Sequence, residues 1–526
     1  MRPPRALVGA AAISALLAVI PLAYLIVRVA EAGWPKVADV LLRTRTLETV
    51  LTSVSLAIVV VAACLLIGLP TAWLLARTRL PGARLWLVLA ALPLAIPSYV
   101  AAYAWLAQFP AMQGFWAAAL ILTLVSTPYV VIPVVAALRS ADPAMEEVAR
   151  TLGRGPVRAF AAGTLPQAWP AAAAGSLLVA LYVLSDFGAV ALFRVDAFTR
   201  VIYTTYRASF DRTSAAVLSL VLVILALLLV LAERRMRGRS VRYRTSSGAA
   251  RRAPLVALSP MATVAAITAM AGLAVLALGI PIASLLARLA EGSRRPLDIA
   301  ELLSATLGSV GVALLGTLIA VALALPVAAL AARSRSRRAS VIETVAYSGH
   351  ALPGVVVGLS LVFLTLAVLP AAYQTIVTLA FAYAVLFLPK SIGASRASIA
   401  AVPPILEQTA RTLGRGPFAA WRATTLRLAW PGVAAGGLLV LLTAMKELPA
   451  TLMLRPTGLD TLATELWSRT EVAAYGAAAP YALALIVLAA VPAWLLSGAM
   501  RRARSSELPA AQASAGEQSA REMVTS

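Results

Sequence analysis

Three ionisable side chains sit where charge is costly. Asp186 interrupts the apolar stretch 170–193, and Lys446 and Glu447 interrupt the stretch 430–454. For a helix rising 1.5 Å per residue, Asp186 lies roughly 12 Å from the outer end of its stretch, and Glu447 sits at the same depth. Ionisable groups at such depth face a cavity or a partner rather than lipid. Two readings follow: Asp186, Lys446 and Glu447 line or gate a path from opposite sides, or they belong to a network that fixes helix packing, with Asp186 paired to a nearby arginine. Other reactive types are scarce. Cys64 is the only cysteine and His350 the only histidine, and both read as packed residues within apolar runs. They allow no internal disulfide and no His-rich metal site, and no Cys/His/carboxylate cluster has metal-ligand spacing, so no directly bound cofactor is expected. ATP hydrolysis would need a Gly-rich loop ending in Gly-Lys-Ser/Thr. The three lysines are Lys36, Lys390 and Lys446, and Lys390, although followed by Ser391, is preceded by Pro389. The chain is therefore not an ATPase.

A second group of residues occurs twice. Ala149 to Pro156 reads ARTLGRGP, and Ala410 to Pro417 reads the same. In the first copy, Asp142 is placed to cap a helix with Pro143 at its first position. Glu146 and Glu147 then fall near the positive helix end. Gly153 and Gly155-Pro156 end that helix, and a second short helix runs through Arg158 to Leu165 before Pro166. The second copy carries Glu407, Gln408 and Gly414 at the matching places, with Arg427 instead of the proline. Such a helix–turn–helix suits docking of a partner protein; the plainer alternative is a surface loop with Arg150, Arg154 and Arg158 meeting acidic lipid.

The elements that must position these residues are apolar spans. Of 526 residues, 61% are hydrophobic and 13% charged, against roughly 45–50% and 25% in soluble domains. Charge-free or nearly charge-free stretches number twelve, four of them as the halves of two double-length runs, 85–138 and 344–389, that break near 108–114 and 370–374. Backbone in lipid must satisfy its own hydrogen bonds, so these are expected to be helices. If the N-terminus is cytoplasmic, inner segments hold 31 of the 45 Lys and Arg residues and outer loops 13. That bias places both termini in the cytoplasm. The net charge of +23 thus reads mainly as an orientation signal, with no nucleic acid implied. The run 6–27 is longer than a signal-peptide core and is expected to be a retained first helix.

The duplication extends beyond the loops. At an offset of 261, Trp169-Pro170 matches Trp430-Pro431 and Asp186 matches Glu447; upstream, at an offset of 256, Ser53, Pro70 and Arg77 match Ser309, Pro326 and Arg333. The expected organisation is a first half at 1–240, an Arg-rich cytoplasmic linker at 241–255, a second half at 256–505 and a polar tail at 506–526. Six spans per half give both halves one orientation, with a path between them.

Glu147-Val148-Ala149, with Gly153 six residues after the glutamate and Leu165-Pro166 beyond, resembles the EAA loop of ABC-importer permeases. The second copy departs from the pattern, with Gln408 at the glutamate position. The stretches Ser185–Val190, Val195–Thr199 and Lys446–Thr451 are similar to ferric-iron permeases of the fused, two-half kind. The resemblance implies an all-α integral membrane protein with the type I importer fold, in the bacterial cytoplasmic membrane. It implies two copies of a cytoplasmic ABC ATPase docked at 142–166 and 403–427 and using ATP, an extracytoplasmic substrate-binding protein, and one fused chain per complex. Thiamine, sulfate, polyamine and phosphonate permeases share the architecture or its halves, and proton-coupled secondary transporters can also pair two six-helix halves.

Overall fold

The computed structural model describes residues 4–209, 211–240, 255–292, 298–334 and 336–492. The expected linker, apart from its last residue, and the expected tail lie outside them. The described chain is helical; its one β pairing is a bridge between Thr78 and Val256, which stitches the start of the second half to the end of helix Thr44–Arg77.

Ten helices among the described residues are long and apolar enough to cross a membrane, and the total is twelve if each of two bent pairs is counted as one span. The bends correct the expectation of twelve plain spans. Ala83–Ala95 and Ser98–Gln108 meet at 93°, and Arg337–Gly349 and Gly354–Val368 meet at 97°. Both breaks precede a proline. Ile96 before Pro97 has ψ 120°, and Leu352 before Pro353 also has ψ 120°. Proline's ring excludes the helical region for its predecessor, so the chain turns at the same place in each half.

A second correction concerns depth. The stretch 170–193 is not one span: helix Leu165–Ser185 stops at Asp186, and a short helix, Gly188–Leu192, follows. In the second half, Arg427–Ala444 stops before Lys446, and Pro449–Leu454 follows. The carboxylates stand at chain breaks rather than along a helix.

The halves interlock. The first helix, Arg5–Glu31, lies on the second half, burying Ala11, Ala15 and Ala18 against Ala324, Val327 and Ala346. Reciprocally, the first helix of the second half reaches helix Ser98–Gln108 of the first, where the Ser284 hydroxyl donates to the Ala104 carbonyl at 2.7 Å and Arg288 donates to that of Ala107 at 2.6 Å. Large apolar side chains such as Leu16, Leu66 and Val487 are exposed on long helices, as expected of a lipid-facing perimeter.

Candidate functional site

The duplicated octapeptide codes for one turn. Gly153 has φ +79° and Gly414 φ +85°. In this left-handed conformation, favoured by glycine, the amide of Arg154 bonds the Ala149 carbonyl at 3.1 Å and that of Arg415 bonds the Ala410 carbonyl at 3.2 Å. These are Schellman helix stops. The next helices begin at Pro156 and Pro417, where proline's missing N–H costs nothing. Each hairpin therefore has one helix, Ala144–Thr151 or Pro404–Thr412, laid against the next. The first hairpin's leading helix starts one residue later than expected, with Pro143 at the N-cap, and Asp142 just before it accepts from the Ala144 amide at 2.9 Å.

The acidic pair splits by direction. Glu147 is exposed, whereas Glu146 turns inward and is buried. The Glu146 carboxylate accepts from Arg77 at 2.6 Å, from the Thr164 hydroxyl at 2.6 Å and from Arg150 at 2.9 Å. The Arg77 and Glu146 side chains are 5% and 8% exposed, so this is a buried pair joining the hairpin to the end of helix Thr44–Arg77. In the second half, Glu407 pairs with Arg411 at 2.5 Å and accepts from Thr425 at 3.4 Å, and Gln408 is half-buried. Arg333, the counterpart of Arg77, donates instead to the Val402 carbonyl at 2.9 Å. Around both turns apolar side chains face outward: Leu152 and Leu413, Val157 and Phe418, Met145 and Leu406.

At the centre of the protein the two carboxylates play matching parts. Asp186 accepts from the Ala189 amide at 3.0 Å and the Val190 amide at 3.4 Å, capping the short helix, and from the Ser98 hydroxyl. Glu447 accepts from the Ala450 amide at 3.1 Å. No arginine pairs with Asp186 among the described residues. The position of Ser98 is taken by Gly354 at offset 256, and a Cβ there would lie 2.2 Å from Glu447 Oε1. The longer acid faces the residue without a side chain. Lys446 crosses to the other half, donating to the carbonyls of Leu94 at 3.2 Å and Ala95 at 3.5 Å, at the helix end before the Pro97 break. Tyr99 of the first half donates back to the Lys446 carbonyl at 3.4 Å. Lys446 and Glu447 therefore stand at the junction between the halves, and Asp186 on the first-half side.

Arg77, Thr164, Ser98, Tyr99 and Gly354 are additions that sequence reasoning missed. Lys390, in helix Ile376–Ala401, is a further one, with its ammonium 5.0 Å from the Phe387 ring. Cys64 is fully buried, its thiol toward the Thr123 carbonyl at 3.6 Å. The His350 side chain lies outside the described residues, and no group of three His, Cys, Asp or Glu residues among those described could hold a metal ion.

Residues 65–238 and again 324–505 match the family described as "Binding-protein-dependent transport system inner membrane component". The Fe(3+)-transport system permease protein FbpB 2 of Haemophilus influenzae is 35% identical over 479 residues, 91% of this chain and 95% of that protein. The molybdenum transport system permease protein ModB of Mycobacterium tuberculosis is 33% identical over 40% of this chain and 86% of its own length. The sulfate transport system permease protein CysT of Escherichia coli is 27% identical over 43% of this chain and 88% of its own.

Proposed function

The chain belongs to the family of binding-protein-dependent transport system inner membrane components, and from that premise we propose that it moves ferric iron through an ATP-driven importer. It is a multi-pass protein of the inner membrane, a permease component with the type I fold present twice. The observation that carries the iron reading is one of coverage. The ferric-iron permease matches 91% of this chain, spanning both halves, whereas the molybdenum and sulfate permeases match less than half of this chain.

The division of labour follows. An extracytoplasmic binding protein delivers the cargo, one fused chain forms the path, and two ATPase copies dock on 142–166 and 403–427. The exposed Glu147 and the apolar tips Leu152 and Leu413 supply those contacts. Gly153 and Gly414 set the turns, while Glu146 and Glu407 face the chain itself. Both termini lie in the cytoplasm, on the side of the docking loops. In this reading Lys446 ties the broken helix of the first half to the second in the closed path, and Asp186 and Glu447 hold the short helices that must shift when the path opens.

The test is uptake by cells lacking the chain and by cells in which it is restored. Radiolabelled ferric iron should enter only the restored cells, with thiamine, sulfate and molybdate uptake equal in both. Restored uptake of one of those solutes but not of iron would replace the substrate assignment. Iron uptake that survives loss of every ATPase and collapses with the proton gradient would overturn the ATP-driven reading.

A further inference from the structure

The face opposite the docking loops is built twice, by helix Phe198–Arg207 and its flanks in the first half and by helix Leu462–Glu471 in the second. They meet through aromatic rings: Phe187 lies 4.9 Å from Tyr203 and 5.1 Å from Trp467, centroid to centroid. Their charges differ in sign. Residues 194–212 hold four arginines and two acids, whereas residues 455–471 hold two arginines and three acids. At offset 261, Arg207 is replaced by Ser468 and Arg212 by Ala473, while Thr204 is replaced by Glu465.

Pairing widens the difference. In the second half both arginines are neutralised, Arg455 by Asp460, and Arg469 by Glu301 at 2.5 Å and Glu465 at 3.1 Å. Exposed Glu471 has no ion pair among the described residues. In the first half Arg200 is held by Asp196, and Asp211 is engaged by Ser214. Arg194, Arg207 and Arg212 are exposed and have no acidic partner among the described residues; Arg207 bonds only the Tyr203 hydroxyl, at 2.9 Å. Free guanidinium groups beside a paired, slightly acidic neighbour make a polarised surface.

We propose that this surface receives the extracytoplasmic binding protein in a single orientation, with an acidic edge of that protein seated over the first half. The proposal rests on the import reading and on the docking loops facing the cytoplasm. Guanidinium forks match carboxylates, and charge complementarity sets encounter rate and register more than it sets final packing. Because the halves are fused, every complex presents one basic and one acidic side, so a partner of matching polarity has one way to land.

The experiment uses the full chain with its ATPase in lipid nanodiscs, and the binding protein that supports uptake in cells. ATPase stimulation is titrated with that protein at low and high salt. Arg212→Glu, at the start of a helix where an acid is tolerated, and Arg207→Glu together should raise the half-saturating concentration about tenfold at low salt. The maximal rate should be kept, and the difference should shrink at high salt. Changing an acidic edge residue of the binding protein to lysine should restore the lost affinity. Unchanged half-saturation, or tighter binding after charge reversal, overturns the proposal while import stands. If the unaltered complex shows no stimulation by the binding protein at any concentration, the import reading falls as well.

Discussion

In the first half the hairpin proposed for cytoplasmic docking is tied to helix Thr44–Arg77 by a buried ion pair, and in the second it rests on its own side chains. Glu146 reaches Arg77 across 69 residues of sequence, whereas Glu407 pairs four residues away with Arg411. Packing repeats the contrast. A Cβ on Gly163 would lie 2.6 Å from the Glu146 amide nitrogen, so the two helices of the first hairpin touch backbone to side. At offset 261 the second half has Thr424, inside a π-turn at Arg422–Leu426 that runs on into helix Arg427–Ala444. Pro166, lacking an amide hydrogen, stands at the start of helix Leu165–Ser185, and Arg427 in its place lets the second chain stay helical. The first hairpin is fixed sideways to helix Thr44–Arg77 by a buried pair, while the second is joined end-on to helix Arg427–Ala444 through continuous helical backbone. Two hairpins that share an octapeptide are thus anchored to the rest of the chain in different ways.

The largest expected effect breaks the clamp. Removing one member of a buried pair costs about 3–5 kcal/mol when the other is left charged and unpaired. Arg77 is left so by loss of the Glu146 charge, whereas Glu146 keeps Arg150 and Thr164 when Arg77 is removed. Glu146→Gln should therefore abolish most uptake and weaken ATPase co-purification, with Arg77→Ala behind it. Arg333→Ala removes a hydrogen bond to a carbonyl, worth about 1.5–3 kcal/mol where a charged group is involved, and should cost much less uptake. Equal losses in both halves, at equal membrane abundance, would refute the unequal coupling.

Next come exchanges that import one half's chemistry into the other. Gly163→Thr forces backbone apart at the clamp, a strain of about 1–3 kcal/mol, and should loosen the first docking site while Thr424→Ala leaves uptake within about twofold. At the centre, Gly354→Ser should collide with Glu447, and adding Glu447→Asp should recover function by recreating the Ser98–Asp186 arrangement. The coupling between these two changes should be about 0.5–3 kcal/mol, read from thermal melts of the detergent-purified chain. Purely additive melts would mean that the acid and its facing residue are independent.

These exchanges also mark what could be read beforehand. The spans, the duplication and the hairpins were legible because apolar length, an identical octapeptide and Gly-Pro punctuation are local signals. Pro97 and Pro353 offered a local signal for the breaks that composition alone did not use, since both lie inside uncharged runs. Arg77 with Glu146, and Ser98 with Asp186 at a separation of 88, are contacts that no local pattern encodes. The repeat held one usable hint: serine with aspartate becomes glycine with glutamate, a trade of side-chain length visible only when both offsets are compared together. Asp186 and Glu447 looked like mid-span charges because apolar residues continue past them, and only the fold shows that the helices stop there.

The smallest effect expected lies on the face opposite the docking loops, where the last helix of each half begins. In the first half Asp211 accepts from the Ser214 amide at 2.9 Å and from its hydroxyl at 2.6 Å. These bonds, with Arg43 and Lys36 contributing less, hold its carboxyl below the ordinary value of 3.8. The second half has Val472 at this position, followed by Ala473 at φ 57°, and so has no titrating cap. A carboxyl whose folded pKa is depressed adds stability above its unfolded pKa, and that stability fades as pH falls through the folded value. Acidifying the medium from pH 5 towards pH 3 should therefore loosen the start of helix Arg212–Ser240 before the matching segment of the second half. Ser214→Ala, which removes the hydroxyl but not the amide, should move that loss to higher pH by a fraction of a unit. Hydrogen exchange at residues 212–216 and 475–479 measures both ends in one sample. Simultaneous loosening of the two would show that the cap contributes nothing to the difference between the halves.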